Sequence, residues 1–328
     1  MKKLMNSPDA FVDEMLAGLV AAHPSLVQEG RVIRRAAGAR LGKVGIVSGG
    51  GSGHLPLFTG YVGDGLLDAC AIGDVFAGPS VDSCIQAIRA VDGGCGVLRL
   101  YGNYGGDRMN FDLAGEMVEI DGIRTTTVLG TDDIASAAPE HNAKRRGVAG
   151  IIYAYKIAGA KADTGAGLAD VTVAARSAVD ACRTIGVALS PCQIPGAAKP
   201  TFELEVDEIE MGMGIHGEPG IWRDRLRPAD DVADEMVRRL LADPVANKSE
   251  RVSVLINSLG ATPLEELFIV YRRVAALLKK EGLTIVCPLV GHYVTSMEMA
   301  GLSISMIHLD AEREKLLAAP CACPFWKV

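Results

Sequence analysis

Apolar and polar residues fall along this chain in blocks with two different periods. Residues 10–22 (AFVDEMLAGLVAA) put Phe11, Met15, Leu16, Leu19 and Val20 at helical spacing, and Pro24 ends the run. Lys43–Ser48 (KVGIVS) is a short apolar run that opens into Gly49–Gly53 and His54, the pattern of a buried strand followed by a loop. Residues 66–76 form a mixed apolar segment, and Gly78-Pro79-Ser80 predicts a helix start, running to about Ala90. Gly96–Tyr101 (GVLRLY) reads as a strand that opens into a second glycine loop, Gly102–Asp107, ahead of a helix over about 108–118. Arg124–Leu129 reads as a β-branched strand, and helices are expected over about 145–160 and 167–185. Strand, loop and helix in repetition imply a mostly parallel sheet covered by helices. Ligands bind such sheets at the carboxyl ends of strands, where both glycine loops fall.

Residues 189–201 hold three prolines and little periodicity, which puts a domain boundary there. Beyond it, Phe202–Ile209 alternates apolar and acidic residues, as a half-exposed strand does. It leads into Met211–Gly220 (MGMGIHGEPG), where His216 lies among four glycines. Pro228–Leu241 has amphipathic helical spacing, and Arg251–Asn257 reads as a strand. Thr262-Pro263-Leu264-Glu265 has the capping-box pattern, for a helix that Gly282 stops. Thr284–Val290 and Leu302–His308 read as further strands. The expected fold is α/β in two domains, residues 1–188 and 189–328, each a mostly parallel or mixed sheet flanked by helices.

Composition narrows the function classes. Of the 328 residues, 49% are apolar and only 5% aromatic, which suits α/β layers better than an all-β sandwich. A formal charge of -7 gives no basic footprint for nucleic acid. No run of 18 apolar residues spans a membrane. Acidic and polar residues interrupt any signal-like segment near the start, so the expected location is cytoplasmic. The eight cysteines form no CxxC pair, and Cys321-Ala-Cys323 is too close for a zinc knuckle, so no metal site is expected.

Three residues carry candidate chemistry. His216 in its glycine-rich segment can be a base, a ligand or a nucleophile, or the exposed histidine of a turn. Gly49–His54 (GGGSGH) follows a strand but lacks the Lys-Ser/Thr of a P-loop and the spacing of a dinucleotide fingerprint. Its amides can hold a phosphate or hydroxyl, or the run can be a structural turn. Asp107 stands where a helix begins, either as an N-cap or as a carboxylate in the same crevice as His54. A histidine and an aspartate from neighbouring strand ends can share proton transfer to a hydroxyl. His23, His141, His292 and His308 are read as structural.

Six segments in order, GGGSGH, GYVG (Gly60–Gly63), NYGGDRMNF (Asn103–Phe111), MGIHGEPG (Met213–Gly220), NSLGATPLEEL (Asn257–Leu267) and TSMEMAGLSIS (Thr295–Ser305), resemble the substrate-binding subunit of dihydroxyacetone kinases. The resemblance runs across nearly the whole chain. It implies two α/β domains, usually as a homodimer. It implies that His216 adds through a ring nitrogen to the carbonyl of a small ketose, giving a hemiaminal. It puts His54 and Asp107 around the hydroxyl that is phosphorylated, with Gly51, Ser52 and Gly53 lining the substrate.

Two departures stand out. Leu55 replaces a usual glutamate after the histidine, and Gly102, counted with the substrate-lining residues, replaces a usual lysine. The exchange of polar contact for space and apolar wall favours a longer ketose such as erythrulose, or is drift at the rim. The resemblance also implies that no cofactor is held by this chain. The phosphoryl donor, ATP or ADP with Mg²⁺, belongs to a helical partner subunit, recharged in some systems by a phosphocarrier protein. Homologues that sense ketoses as co-activators of transcription regulators give a second reading, and an unrelated carbohydrate-binding or isomerising enzyme on a generic α/β fold a third.

Overall fold

The computed structural model describes residues 2–328. In chain order its elements are α1 (Phe11–Ala22), β1 (Leu26–Glu29), β2 (Val32–Arg35), β3 (Gly45–Ser52), β4 (Ala69–Val75), α2 (Val81–Val91), β5 (Val97–Gly102), α3 (Gly105–Glu119), β6 (Thr125–Gly130), α4 (Ile151–Asp163), α5 (Leu168–Ala181), β7 (Cys182–Ser190), β8 (Glu208–Met211), β9 (Trp222–Arg225), α6 (Ala229–Ala242), β10 (Arg251–Ser258), α7 (Leu264–Lys280), β11 (Thr284–Ile285), β12 (Leu289–Gly291), β13 (Ala300–His308) and α8 (Ala311–Leu317).

One unit comprises Lys2–Gly130, Tyr153–Ser177 and Lys315–Val328. Its six strands run in the order β1-β2-β4-β3-β5-β6. The pairs β4/β3, β3/β5 and β5/β6 are parallel, so the carboxyl ends of these four strands share one edge. Against the sheet, α2 and α3 bury Ile85, Ile88, Val91, Phe111 and Val118 with Val47, Val97 and Tyr101 of the strands. Ser80 caps α2, its hydroxyl accepting from the Ser83 amide. Several buried polar groups are paired: Asp68 takes Lys43, Arg35 and the Ile46 amide, and the Tyr155 hydroxyl meets Ser48 at 2.7 Å.

The other unit comprises Thr131–Ile152 and Ala178–Glu314. Its seven-stranded sheet follows β11-β10-β13-β7-β8-β9, with β12 also on β10. Here β10/β13, β13/β7, β7/β8 and β8/β9 are antiparallel, and only the short β11 and β12 join in parallel. The core brings Val232, Met236, Val237 and Leu240 of α6 and Leu267, Val274 and Leu278 of α7 against Ile185, Val254, Ile256 and Ile304 of the sheet. At its side, buried Asp243 accepts from Arg145 at 2.6 and 2.9 Å and from Arg183 at 2.5 Å.

The α/β class holds, and several expectations need correction. The division at 188/189 cuts through β7, which lies inside the second sheet. Segment 131–152 joins that sheet's unit because Asp132 accepts from the Val148 and Gly150 amides while its carbonyl accepts from the Thr184 amide. Residues 182–185, expected to end a helix, begin β7. Gly49, Gly50 and Gly51 are not a loop after a strand but lie inside β3, which ends at Ser52, and only Gly53 falls in the loop. The expected strand over Phe202–Ile209 is only its end, β8. Thr262 does not cap α7; its hydroxyl accepts from the Gly301 amide instead. Among the described residues, no helix is long and apolar enough to cross a membrane.

Candidate functional site

The parallel strands of the first unit bring two of the predicted residues to one edge. His54 follows β3 by two residues and is buried, its ring stacked on Phe76 at 5.0 Å between centroids. Phe76 follows β4 directly and holds a left-handed φ of 60°, unusual for an aromatic residue, with its amide donating to the Ser52 carbonyl at 3.0 Å. Gly51 is required here, because a Cβ on it would lie 2.8 Å from the Phe76 Cα and 2.7 Å from the Ala77 nitrogen. Ser52 and Gly53 complete the turn into His54, and Gly102 is the last residue of β5, paired with Gly130 of β6.

Asp107 is in the first turn of α3 and is buried. It is not the N-cap: that position is Tyr104, which makes no side-chain cap bond. A first-turn carboxylate still gains from the helix dipole. Asp107 also packs against Gly78, whose added Cβ would fall 2.5 Å from its Oδ1. Nearby, burial pushes the Cys84 thiol far above its ordinary range, and the Asp107 charge adds to the effect.

His216 belongs to the second unit, in the turn between β8 and β9. The turn is held from several sides. The Gly212 amide donates to the Gly186 carbonyl at 2.7 Å, the Ser296 hydroxyl donates to the Ile215 carbonyl, and Met213 and Ile215 are buried. Gly217, at φ 83°, folds the chain back so that the Gly214 amide reaches the Glu218 carbonyl at 3.0 Å. The same reversal brings the Glu218 carboxylate onto His216: Oε1 lies 3.0 Å from Nδ1, and Oε2 accepts from the His216 amide at 3.0 Å. Arg146 stands 3.7 Å from Glu218 and donates to Asp133 at 2.9 Å.

Burial works to raise the Glu218 pKa, but the hydrogen bond and charge of His216 and the charge of Arg146 outweigh it and hold it down at about 2. Burial pushes the Asp133 carboxyl up to about 6 against the opposing pull of Arg146. An ionised carboxylate only accepts hydrogen bonds, so Nδ1 of His216 carries a proton toward Glu218. For a neutral ring, Nε2 is then the nitrogen with the lone pair.

Glu218 was not singled out in the sequence, although it lies in the same ten residues. Its signal was the His-x-Glu spacing, which matters only when a glycine turn closes it. Phe76 carried no signal beyond a lone aromatic after a strand. Among the described residues, no group of three or more His, Cys, Asp or Glu side chains is placed to hold a metal ion.

A family model described as the Dak1 domain matches residues 17–325. The chain is 46% identical over 332 residues to the PTS-dependent dihydroxyacetone kinase 2, dihydroxyacetone-binding subunit DhaK, of Listeria innocua, with 100% of both chains covered. It is 42% identical to the L-erythrulose 1-kinase of Mycolicibacterium smegmatis, over 100% of this chain and 58% of that protein. The solved dihydroxyacetone kinase of C. freundii superposes with a TM-score of 0.90 at 34% identity, over 99% of this chain and 60% of that one. The dihydroxyacetone kinase operon co-activator Dha-DhaQ gives 0.89 at 34% identity, over 96% and 98%. The chain therefore spans the full length of the separate subunit but under two thirds of the erythrulose kinase and the C. freundii kinase. With a family model over residues 17–325 and relatives above 40% identity across its whole length, this chain belongs to the Dak1 domain family.

Proposed function

We propose that this chain is the ketose-binding subunit of a kinase, with His216 as the covalent anchor for a small ketose. The observation that carries the reading is the His216–Glu218 pair in its glycine turn, which leaves Nε2 as the nucleophile. In the step itself, the Nε2 lone pair forms a bond to the carbonyl carbon. The C–O π pair moves to oxygen, and the oxygen takes a proton from solvent, giving a hemiaminal. A ketone with few atoms offers few contacts, and a reversible covalent bond adds affinity that a polyol without a carbonyl cannot obtain.

His54 and Asp107 are assigned to the hydroxyl that receives the phosphoryl group, as the base and the group that orients it. Gly51, Ser52, Gly53 and Gly102 are assigned to the substrate. The phosphoryl donor, a nucleotide with Mg²⁺, is assigned to a partner subunit, and the protein itself to a homodimer in the cytoplasm. The DhaK relative at 46% identity, named as a dihydroxyacetone-binding subunit, supports this division of labour.

The ketose is proposed to have four carbons. Leu55 and Gly102 both lie at the carboxyl edge of the parallel strands, just beyond β3 and at the end of β5, where apolar wall and space replace a charged pair. The erythrulose kinase relative supports the reading. Comparing phosphorylation of dihydroxyacetone and erythrulose with a nucleotide-binding partner tests it, and a clear preference for dihydroxyacetone overturns it. His216→Ala tests the anchor: unchanged ketose affinity in that variant refutes covalent binding.

The second reading, a ketose-sensing co-activator, is favoured by the match to Dha-DhaQ over 98% of that chain. A sensor needs His216 but neither His54 nor Asp107, so the presence of both supports catalysis. Turnover with a partner subunit separates the two readings.

A further inference from the structure

The pair at His216 is part of a longer, partly buried chain of charges, and nothing in the six motifs assigns the rest of it. Glu218 contacts both the ring and the amide of His216. Behind it, Arg146 is largely buried, facing Glu218 with Nη1 at 3.7 Å and holding Asp133 with Nε at 2.9 Å. Arg146 also donates to the Gly212 carbonyl at 3.3 Å, and Asp133 accepts from the Ala135 amide at 3.0 Å. The guanidinium is thus fixed by groups outside the His216 turn. Room for this arrangement depends on Gly214, where a Cβ would lie 2.1 Å from Glu218 Oε2 and 2.5 Å from Arg146 Nη1.

We propose that Glu218, held by Arg146 and Asp133, is the positioning residue of the covalent site: it fixes the His216 ring with Nδ1–H inward and stabilises the cationic ring that forms on addition to a ketose. The proposal rests on the hemiaminal reading for its second half. When Nε2 bonds to the carbonyl carbon and the carbonyl oxygen takes a proton from solvent, the ring keeps its Nδ1 proton and gains a positive charge. That charge appears 3.0 Å from an ionised carboxylate in a partly buried site, where a charge-assisted hydrogen bond is stronger than one in water. Free ketose and neutral ring draw much less from the same carboxylate, so Glu218 favours the adduct over the unreacted pair. Arg146 faces Glu218 at 3.7 Å, and its charge adds to the hydrogen bond and charge of His216 in keeping the carboxylate ionised.

The test uses the full chain and erythrulose carrying ¹³C at its carbonyl carbon, with dihydroxyacetone labelled in the same way beside it. Addition converts that carbon from trigonal to tetrahedral, which carbon NMR reads directly as a titration. Glu218→Gln keeps size and a hydrogen-bond acceptor but removes the charge, and is expected to weaken adduct formation tenfold to a hundredfold. Gly214→Ala leaves the carboxylate in place chemically but displaces it, and is expected to weaken the adduct at least tenfold. In phosphoryl transfer with a partner subunit, both variants raise KM far more than they lower kcat, a split that general loss of folded protein does not produce. Nitrogen NMR of the His216 ring in the ligand-free protein reads the proton position: Nδ1–H in the native chain, and a mixture of tautomers in Glu218→Gln. An adduct as strong in Glu218→Gln as in the native chain, with an unchanged ring spectrum, overturns the proposal and leaves the covalent reading standing. Absence of a tetrahedral carbon signal in the native chain instead overturns the covalent reading, and the ring spectrum then still decides whether Glu218 sets the tautomer.

Discussion

Replacing Gly78 with alanine moves Asp107 without altering its chemistry. The added Cβ falls 2.5 Å from Asp107 Oδ1 and 3.4 Å from the Asp107 nitrogen. Real Cβ contacts start near 3.0 Å and become ordinary at 3.4 Å. The carboxylate must therefore retreat by about 0.5 Å to relieve the overlap and about 0.9 Å to reach ordinary contact. Gly78 has no left-handed backbone and is exposed, so alanine brings no backbone strain. It also narrows the unfolded ensemble, worth about 0.4–1 kcal/mol in favour of the folded state. Stability is expected to stay level or rise slightly. A displacement near 1 Å at a group that handles a proton costs up to about 10²-fold in rate, or about 2.7 kcal/mol of barrier. The assay is initial-rate phosphorylation of ketose with a nucleotide-binding partner subunit, beside ketose binding and thermal melting of the same preparation. The expected result is a kcat lowered about tenfold to a hundredfold, with ketose affinity within about threefold and an unchanged melting point. Full activity in a folded Gly78→Ala protein would refute the assignment of Asp107. Equal loss of binding and stability would reduce Gly78 to a packing position.

Three further outcomes are expected. Asp243→Ala leaves the buried guanidinium groups of Arg145 and Arg183 without their shared carboxylate and should cost about 3–5 kcal/mol in urea unfolding, far more than an exposed substitution. Acid should act through Asp243 and Glu218. Burial works to raise both, yet the arginines at Asp243, and His216 with Arg146 at Glu218, hold both below their ordinary values. Each therefore contributes stability that is fully present above its unfolded pKa, near 4 for these groups, and is lost as pH falls through the folded value. For Glu218 the window is about 4.5 down to about 2, and a Glu218→Gln protein should converge on the native chain in stability across it; a gap that stays constant with pH refutes the assignment. Thiol reagents should modify exposed Cys287 first and half-buried Cys95 more slowly, while Cys70, Cys84, Cys182, Cys321 and Cys323, whose thiols burial pushes upward, react only on unfolding. Peptide mapping after brief labelling checks the order.

Which parts of this were legible in the chain follows from where each force acts. Short apolar runs bounded by glycine, such as KVGIVS and GVLRLY, became strands, and burial on both faces leaves them too few polar positions to show an alternation. The helices of the second unit were plain because one apolar stripe faces the sheet in each, as Val232, Met236 and Leu240 do. β7 was missed because Ala178, Val179 and Ala181 continue helical spacing into Cys182 with no glycine or proline between. Only the β-branched Thr184, Ile185 and Val187 mark the change, and pairing with β13 and β8 decides it. The exchange of segment 131–152 between units had no local sign at all, since it rests on Asp132 reaching Val148, Gly150 and Thr184.

The same contrast separates the two kinds of site residue. His216, His54 and Asp107 were conspicuous because a polar side chain among glycines has few structural uses. Glu218 was hidden two positions from His216, a spacing that in an extended chain puts the two side chains on one face but about 7 Å apart, beyond hydrogen-bond reach. It becomes a partner of His216 only because Gly217 reverses the backbone and Gly214 leaves space for its carboxylate beside Arg146. Glycine in this segment therefore has two separable functions, letting a ligand approach and letting a carboxylate turn back on its histidine. Alanine at position 214 obstructs the second without adding a side chain to His216 itself, so its effect on ketose binding measures how far the histidine depends on the charge behind it.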